Sequence, residues 1–274
     1  MVNPLENYYR SKEVYVKLPS GGNYYKQKPK MINGEIGVMP MTTRDEMLLK
    51  VPDTLYNGEA LFEIVASVCP DIPDPYEVCM ADLDAILLAS RVATYGEDLE
   101  VEARCPNCNT NGQYSINVPA LMASIKPLST LTEIEIDSLK IKLKPNTLAV
   151  ITANGQKAYD QALVQRAMEQ HPENYKEMFK ETIERIAASN IALTADCIES
   201  VTTPNGEVVT SFEQIVAWLS NTNTRVYDTV NKHSKVFNES GLQKVFHFTC
   251  SDESCGKEFD APFEFNASFF FNQS

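Results

Sequence analysis

Two short segments carry the residues best suited to chemistry, because each holds a pair of cysteines. They read RCPNCNTNGQY at 104–114 and TCSDESCGKEF at 249–259. In each segment a polar turn and an aromatic residue follow the thiols. Thiolates are the ligands of structural zinc sites and of iron–sulfur clusters. The four candidate metal ligands are Cys105, Cys108, Cys250 and Cys255.

Alternating patterns on both sides of each pair indicate how the thiols are positioned. LEVEARC (99–105) and GQYSINV (112–118) alternate around the first pair, and KVFHFTC (244–250) and EFDAPFEFN (258–266) around the second. Such patterns predict two β-hairpins that carry the cysteines at their tips. Two facing hairpins supply the four thiolates of a zinc ribbon, so the sequence predicts a structural Zn²⁺ site.

The energetics of chain closure favour this prediction, although alternatives remain. The segment between Cys108 and Cys250 spans 142 positions, and closing such a loop costs roughly 4 kcal/mol. Structural zinc contributes on the order of 10–16 kcal/mol in zinc-finger peptides. The four-residue gap between Cys250 and Cys255 is wider than a two-residue zinc knuckle. Unliganded thiols or a disulfide, and an iron–sulfur cluster, therefore stay open as alternatives.

The sequence shows no pattern of catalytic residues. Four cysteine ligands leave no open position for the water of a catalytic zinc. His247 falls on the polar face of an alternating strand, while His171 and His233 stand among polar or helix-breaking residues. The chain lacks a Gly-x-Ser-x-Gly motif, a phosphate-binding glycine loop and a His-Glu-x-x-His motif. We expect a protein that is not an enzyme and has no small-molecule substrate.

The remaining cysteines and the overall composition narrow the class of protein further. The total of seven cysteines is odd, and the first residues lack the order of a signal peptide, which predicts a reducing, cytoplasm-like compartment. Cys69, Cys79 and Cys197 stand in apolar surroundings and are predicted to be buried. A net charge of −13 argues against nucleic-acid partners. No apolar stretch is long enough for a membrane span, so protein partners fit best.

The periodicities elsewhere predict the elements that surround the two cysteine hairpins. Before residue 150 they predict strands at 13–19 and 35–41 around a turn at 20–23, helices at 42–50, 57–70 and 81–96, and a hairpin at 132–145.

The middle of the chain has a mainly helical pattern. It runs from residue 155, breaks at His171-Pro172, includes a hairpin turn at 201–210, and ends in a helix pair between Ser211 and Gly241. The predicted fold class is α+β, with small antiparallel sheets and a zinc-ribbon-like hairpin pair around this region. The expected divisions are an N-terminal α+β region at 1–150, a helical insertion at 151–241 and C-terminal strands at 242–274.

Several motifs resemble the baseplate protein family of T-even-like contractile-tailed bacteriophages. The resemblance covers roughly residues 12–125 and the last thirty residues. Its most specific parts are Pro-Met-Thr-x-x-Asp-Glu at 40–46, Asn-Gly-Glu-Ala at 57–60 and Asp-Leu-Asp at 82–84. The resemblance implies a structural or assembly component of the baseplate hub, with no catalytic residues to transfer.

The same resemblance implies the location and the partners. We expect the protein in the virion tail baseplate, and in the host cytoplasm during assembly. Its expected partners are other baseplate and tail-hub proteins, including copies of itself. An alternative is a zinc-ribbon adaptor that binds a regulatory protein partner.

Overall fold

The fold is α+β, as predicted. A computed structural model describes residues 3–50, 59–128, 133–150, 152–153, 155, 175–238 and 245–262. Its strands are β1 (Val14–Lys17), β2 (Glu35–Val38), β3 (Asp98–Arg104), β4 (Asn111–Asn117), β5 (Glu133–Ile136), β6 (Leu139–Leu143), β7 (Ile198–Thr202), β8 (Val208–Val209), β9 (Val245–Thr249) and β10 (Glu258–Pro262). Its helices are α1 (Thr43–Leu49), α2 (Glu59–Val68), α3 (Met80–Tyr95), α4 (Val118–Ser124), α5 (Tyr175–Asp196), α6 (Phe212–Asn221) and α7 (Thr224–Asn238).

The first hydrophobic core lies between the β1–β2 ladder and helices α1–α4. The two strands are antiparallel, with Val14 opposite Val38. The predicted turn at 20–23 forms, but residues 18–34 separate the strands, so the connection is longer than a tight hairpin. Lys30 explains part of this excursion, because its backbone N–H donates to Asp71 beyond α2.

Local signals set the ends of the helices in this core. Thr42 caps α1 and forms a reciprocal capping box with Asp45. Gly96 ends α3 with a φ of 91°, a conformation that favours glycine. Helix α3 is buried along most of its length. Asp82 lies fully buried inside it, where Ser20 and Tyr25 donate hydrogen bonds to its carboxylate.

A second hydrophobic core lies under a four-stranded antiparallel sheet in the order β5-β6-β7-β8. Ile141, Leu143 and Val201 face α5, α6 and α7 in this core. The opposite face is charged, since Glu133 pairs across the ladder with Lys142. The described middle of the chain thus contributes strands as well as helices. The second core contains residues from before and after the expected boundary near residue 150.

Other local predictions are confirmed where the structure describes them. Asp137 and Ser138 both have positive φ and close the predicted β5–β6 hairpin. Ser211 caps α6, whereas His171-Pro172 and Gly241 lie outside the described residues. The three isolated cysteines are buried: Cys69, Cys79 and Cys197. None of the described helices is long and apolar enough to cross a membrane.

Candidate metal centre

The two cysteine segments form the predicted hairpins, and the hairpins meet. β3 pairs with β4, and β9 pairs with β10, both antiparallel. The sulfur atoms of four residues lie within 4.8 Å of one another and form what we call the cysteine cluster: Cys105, Cys108, Cys250 and Cys255. Cys108 Sγ and Cys250 Sγ, one from each hairpin, lie 3.5 Å apart.

The first hairpin presents its thiols from a tight six-residue tip, 105–110. The backbone N–H of Cys105 donates to the carbonyl of Thr110 at 3.0 Å. The backbone N–H of Asn109 donates to the carbonyl of Cys105 at 2.9 Å. Asn109 has a φ of 62°, which asparagine tolerates better than most residues. This folded tip turns both sulfurs toward the second hairpin.

The second hairpin has the same plan with a longer tip. The backbone N–H of Cys250 donates to the carbonyl of Lys257 at 2.9 Å. Asp252 forms the turn in between, because its side chain accepts from the Ser254 N–H at 2.9 Å and its carbonyl from the Gly256 N–H at 2.9 Å. This extra turn accommodates the wider cysteine spacing and still brings both sulfurs into the cluster.

Aromatic packing holds the hairpins face to face beside the sulfurs. The ring of Tyr114 stacks on Phe248 at 4.5 Å between centroids and meets Phe259 edge-on at 5.9 Å. Gly112 leaves room for this contact. A Cβ there would lie 2.6 Å from the Ser251 Oγ of the other hairpin.

Polar contacts between the tips surround the cluster. The Asn107 amide of the first tip donates to Cys255 Sγ at 3.3 Å. Lys257 of the second tip donates to the amide oxygen of the same Asn107 at 3.1 Å. Thr110 donates to the carboxylate of Asp252 at 3.4 Å. These side-chain contacts join the two tips around the sulfurs.

The thiols differ in burial and in pKa. Cys105 and Cys250 are buried, whereas Cys108 and Cys255 are partly exposed. Hydrogen bonds from the side chain and backbone of Thr110 lower the pKa of Cys108 to about 6. The backbone N–H of Asp252 lowers the pKa of Cys250, but burial and the neighbouring Cys108 sulfur outweigh it and raise that pKa to about 12. The thiols therefore share protons that a metal must displace.

The spacing of the sulfurs fits a tetrahedral metal. Zn–S bonds of about 2.3 Å in a tetrahedron put sulfurs roughly 3.8 Å apart, close to the 3.5 Å between Cys108 and Cys250. A disulfide needs about 2.05 Å, and all seven cysteines are free thiols. Four thiolates would complete the coordination sphere and leave no position for a reacting water. The donor set thus suits a structural metal.

The nearby histidine lies outside this donor set, as the strand pattern predicts. His247 is exposed on β9, and its ring pairs with the carboxylate of Asp260 on the adjacent β10. Sequence reasoning missed the polar residues around the cluster, Asn107 and Lys257. It also missed the turn at Asp252, although an aspartate two residues before a serine is typical of such a turn.

Comparison with known proteins extends the sequence resemblance to most of the chain. A family model described as T4 bacteriophage base plate protein matches residues 11–271. This range includes both cysteine hairpins and the middle of the chain. No curated protein and no solved structure matches the chain significantly. Because the family match covers well over half of its residues, the chain belongs to the family of T4 bacteriophage base plate proteins.

Proposed function

We propose that the protein is a scaffold of the baseplate hub and that one Zn²⁺ bound by the cysteine cluster fastens its two ends together. One observation carries the proposal. The cluster joins thiols from hairpins 142 positions apart in the sequence, so a bound metal closes the chain around everything between them. Such closure stabilises the folded state over the unfolded chain, since the preformed site exists only in the former.

The proposed metal role is structural rather than catalytic. A full set of four thiolates leaves no site for substrate or water. His247 is exposed on β9, and its ring pairs with the carboxylate of Asp260. We propose that the protein has no enzymatic activity, no small-molecule substrate and no catalytic residues. The family itself is one of baseplate proteins, which supports a structural role.

The proposed partners are other baseplate and tail-hub proteins, including further copies of this chain. Helix α5 offers a candidate contact surface. Its C-terminal end packs into the second core through Ile191 and Ala195, but Ile183 and Ile186 remain 49% and 41% exposed. Exposed isoleucines on a helix that carries Glu184 favour a protein partner with an apolar patch.

Metal analysis of the purified protein tests the zinc proposal. Protein prepared without chelator should contain about one zinc per chain by elemental analysis, and Cys108→Ser should contain little. If the protein instead contains iron and sulfide and shows a visible absorption band, its four cysteines bind an iron–sulfur cluster rather than zinc. Metal-free protein that keeps its full thermal stability would contradict the metal role altogether.

Sedimentation of phage-infected extracts tests the place of action. A hub protein made in the host cytoplasm should enter tail assemblies and sediment with them in the finished virion. Recovery only with a soluble regulatory complex would favour the adaptor alternative. We also propose the division into residues 1–150, 151–241 and 242–274. The β5–β6 hairpin of the first part packs its apolar side into the second core, so the first two parts share that core.

A further inference from the structure

Strand β1 has one edge that no described strand covers. Among the strands that the structure describes, β1 pairs only with β2. Outside that ladder, no backbone hydrogen bond between described residues involves residues 14–17. The free edge of β1 therefore presents N–H and C=O groups to which an additional strand can bind.

An apolar groove accompanies this strand. It has a volume of about 720 Å³, and residues 13–19 line one side of it. Apolar residues of helix α4 and of the segment after it, including Met122 and Ile125, line another part. A strand that binds here gains apolar contacts as well as backbone hydrogen bonds.

The sequence of β1 is symmetric about its central residue, except that the charges at its two ends have opposite signs. Residues 13–17 read Glu-Val-Tyr-Val-Lys. Glu13 precedes β1 and continues its ladder with β2, because its N–H donates to the carbonyl of Val38 at 3.0 Å. Such a sequence can pair with a second copy of itself.

The register of that pairing follows from the positions of the charges. When two copies run antiparallel with Tyr15 at the centre, Glu13 of each copy lies opposite Lys17 of the other. Val14 of each copy then lies opposite Val16 of the other. Opposite charges at both ends and apolar pairs between them favour this register over one shifted along the strand.

The exposed side chains of β1 are available for this contact. Glu13, Tyr15 and Lys17 are exposed, whereas Val14 is half-buried and Val16 is buried on the other face. Neither Glu13 nor Lys17 forms an ion pair with another residue that the structure describes. A second copy therefore meets these charges without having to break an ion pair.

We propose that two copies of this chain associate through antiparallel pairing of their β1 strands, with the two Tyr15 residues opposite each other at a twofold axis. The occupant of the free edge is thus β1 of a second copy. Because both copies use the same edge, the association closes at a dimer. It joins the two β1–β2 ladders into one four-stranded sheet. The inference rests on the proposed function in one respect, that this chain associates with further copies of itself.

Charge reversal tests the register. Analytical ultracentrifugation of the full chain should detect a dimer. Its dissociation constant should rise at least tenfold in Glu13→Lys and in Lys17→Glu, because each change creates two like-charge contacts per dimer. An equimolar mixture of these two variants should form mixed dimers about as tight as those of the wild type, because opposite charges then face each other at both ends. Glu207→Lys is the matched control, exposed just before β8 and outside the groove.

A disulfide tests the same register at the twofold axis. Opposite residues of an antiparallel ladder have Cα atoms about 4.5–5.5 Å apart, which is within the roughly 4.4–6.8 Å of disulfides. Tyr15→Cys should therefore form a covalent dimer with oxidised glutathione, whereas the wild type with its seven cysteines should not. Lys17→Cys is the second control, because the two copies of residue 17 lie about 13 Å apart along the paired strands.

Three results would overturn the proposal. The first is a wild type that is monomeric at every concentration measured. The second is a dimer that Glu13→Lys and Lys17→Glu weaken no more than Glu207→Lys does. The third is a mixture of the two charge variants that associates no better than either variant alone. If the charge variants do not fold, the disulfide of Tyr15→Cys decides the matter.

The same samples keep this test separate from the proposed function. Their zinc content reports on the metal role, and the sedimentation of tails reports on the place of action. A protein without zinc, or one absent from tails, can still be tested for the β1 contact.

Discussion

The side-chain amide of Asn107 donates a hydrogen bond to the sulfur of Cys255 across the interface of the two hairpins, at 3.3 Å. The two residues are 148 positions apart in the chain. Asn107 is itself held by Lys257, whose ammonium group donates to the amide oxygen. A positive side chain of the second hairpin thus polarises the amide that donates to the sulfur of Cys255. Such contacts around a ligand tune the affinity of a metal site.

The first prediction concerns this contact. Asn107→Ala should speed the loss of zinc to a chelator about tenfold, because the thiolate of Cys255 loses a donor while the four ligands remain. Zinc release is followed with a colorimetric chelator at neutral pH. Asn111→Ala is the matched control, since Asn111 is exposed at the start of β4. Equal release from both variants would mean that the amide contact has no role at the metal.

The second prediction separates ligand cysteines from packing cysteines. Cys108→Ser should lose most of the bound zinc and a large part of the thermal stability, because it removes one ligand of the proposed site. Cys197→Ser should keep the zinc. Cys197 is buried far from the cluster in sequence, and its thiol donates to the amide oxygen of Asn146, a bond that a serine hydroxyl can also make. Elemental analysis and thermal denaturation of both variants provide the measurement.

The third prediction concerns pH. Hydrogen bonds from Thr110 lower the pKa of Cys108 to about 6, so this thiol is ionised at neutral pH and is protonated as the pH falls below that value. Protons then compete with the metal, and zinc should be released on acidification. Thr110→Val should move the midpoint of release to higher pH, because the thiolate loses the hydroxyl donor and keeps only the backbone N–H of residue 110. Thr110→Ser, which keeps the hydroxyl, should leave the midpoint near that of the unmodified protein.

Sequence reasoning succeeds for elements that are specified locally. The capping box of Thr42 and Asp45, the helix end at Gly96 and the turn at Asp137-Ser138 all depend on residues a few positions apart. The cysteine hairpins are predictable for the same reason, since alternation and thiol spacing lie within each segment. Their meeting is predictable only because a tetrahedral metal requires four ligands.

Contacts between distant segments cannot be predicted from local patterns in the sequence. β6 pairs with β7 across more than fifty residues, and this pairing turns a predicted isolated hairpin into part of a four-stranded sheet. Alternation identifies a strand but not its neighbour. The burial of Asp82 is equally hidden, because its position in an amphipathic helix is also compatible with an exposed carboxylate.

The fourth prediction concerns this buried carboxylate. Asp82 accepts hydrogen bonds from the backbone N–H of Ser20 at 2.8 Å and from the hydroxyl of Tyr25 at 2.9 Å. Asp82→Ala should lower the free energy of unfolding by about 3 kcal/mol, because it leaves buried donors without an acceptor. Tyr25→Phe should cost only about 1 kcal/mol, since it removes one donor and leaves the carboxylate its other bonds. Urea denaturation of both variants measures these changes. An unchanged urea midpoint for Asp82→Ala would contradict the prediction.

The titration of Asp82 adds a pH signature. Burial raises the pKa of this carboxyl group above its ordinary value, although hydrogen bonds from Ser20 and Tyr25 partly offset the effect. The folded state thus retains a proton that the unfolded chain has released. The contribution of Asp82 to stability is therefore greatest below about pH 4 and weakens as the pH rises through the raised pKa. The free energy of unfolding of the wild type relative to Asp82→Asn should fall with rising pH, because asparagine does not titrate.

The fifth prediction concerns the proposed partner surface on α5. Ile186 is 41% exposed, so Ile186→Glu should leave folding and zinc content unchanged. It should reduce incorporation into tail assemblies at least tenfold if this face contacts a neighbouring baseplate subunit, because the contact would bury an unpaired carboxylate. Glu184→Gln is the control. Glu184 lies about half a turn from Ile186 on the same helix, and its side chain is already polar and exposed. Quantitative immunoblotting of sedimented tails measures incorporation. If Ile186→Glu enters tails normally, the surface that binds the neighbours lies elsewhere on the protein.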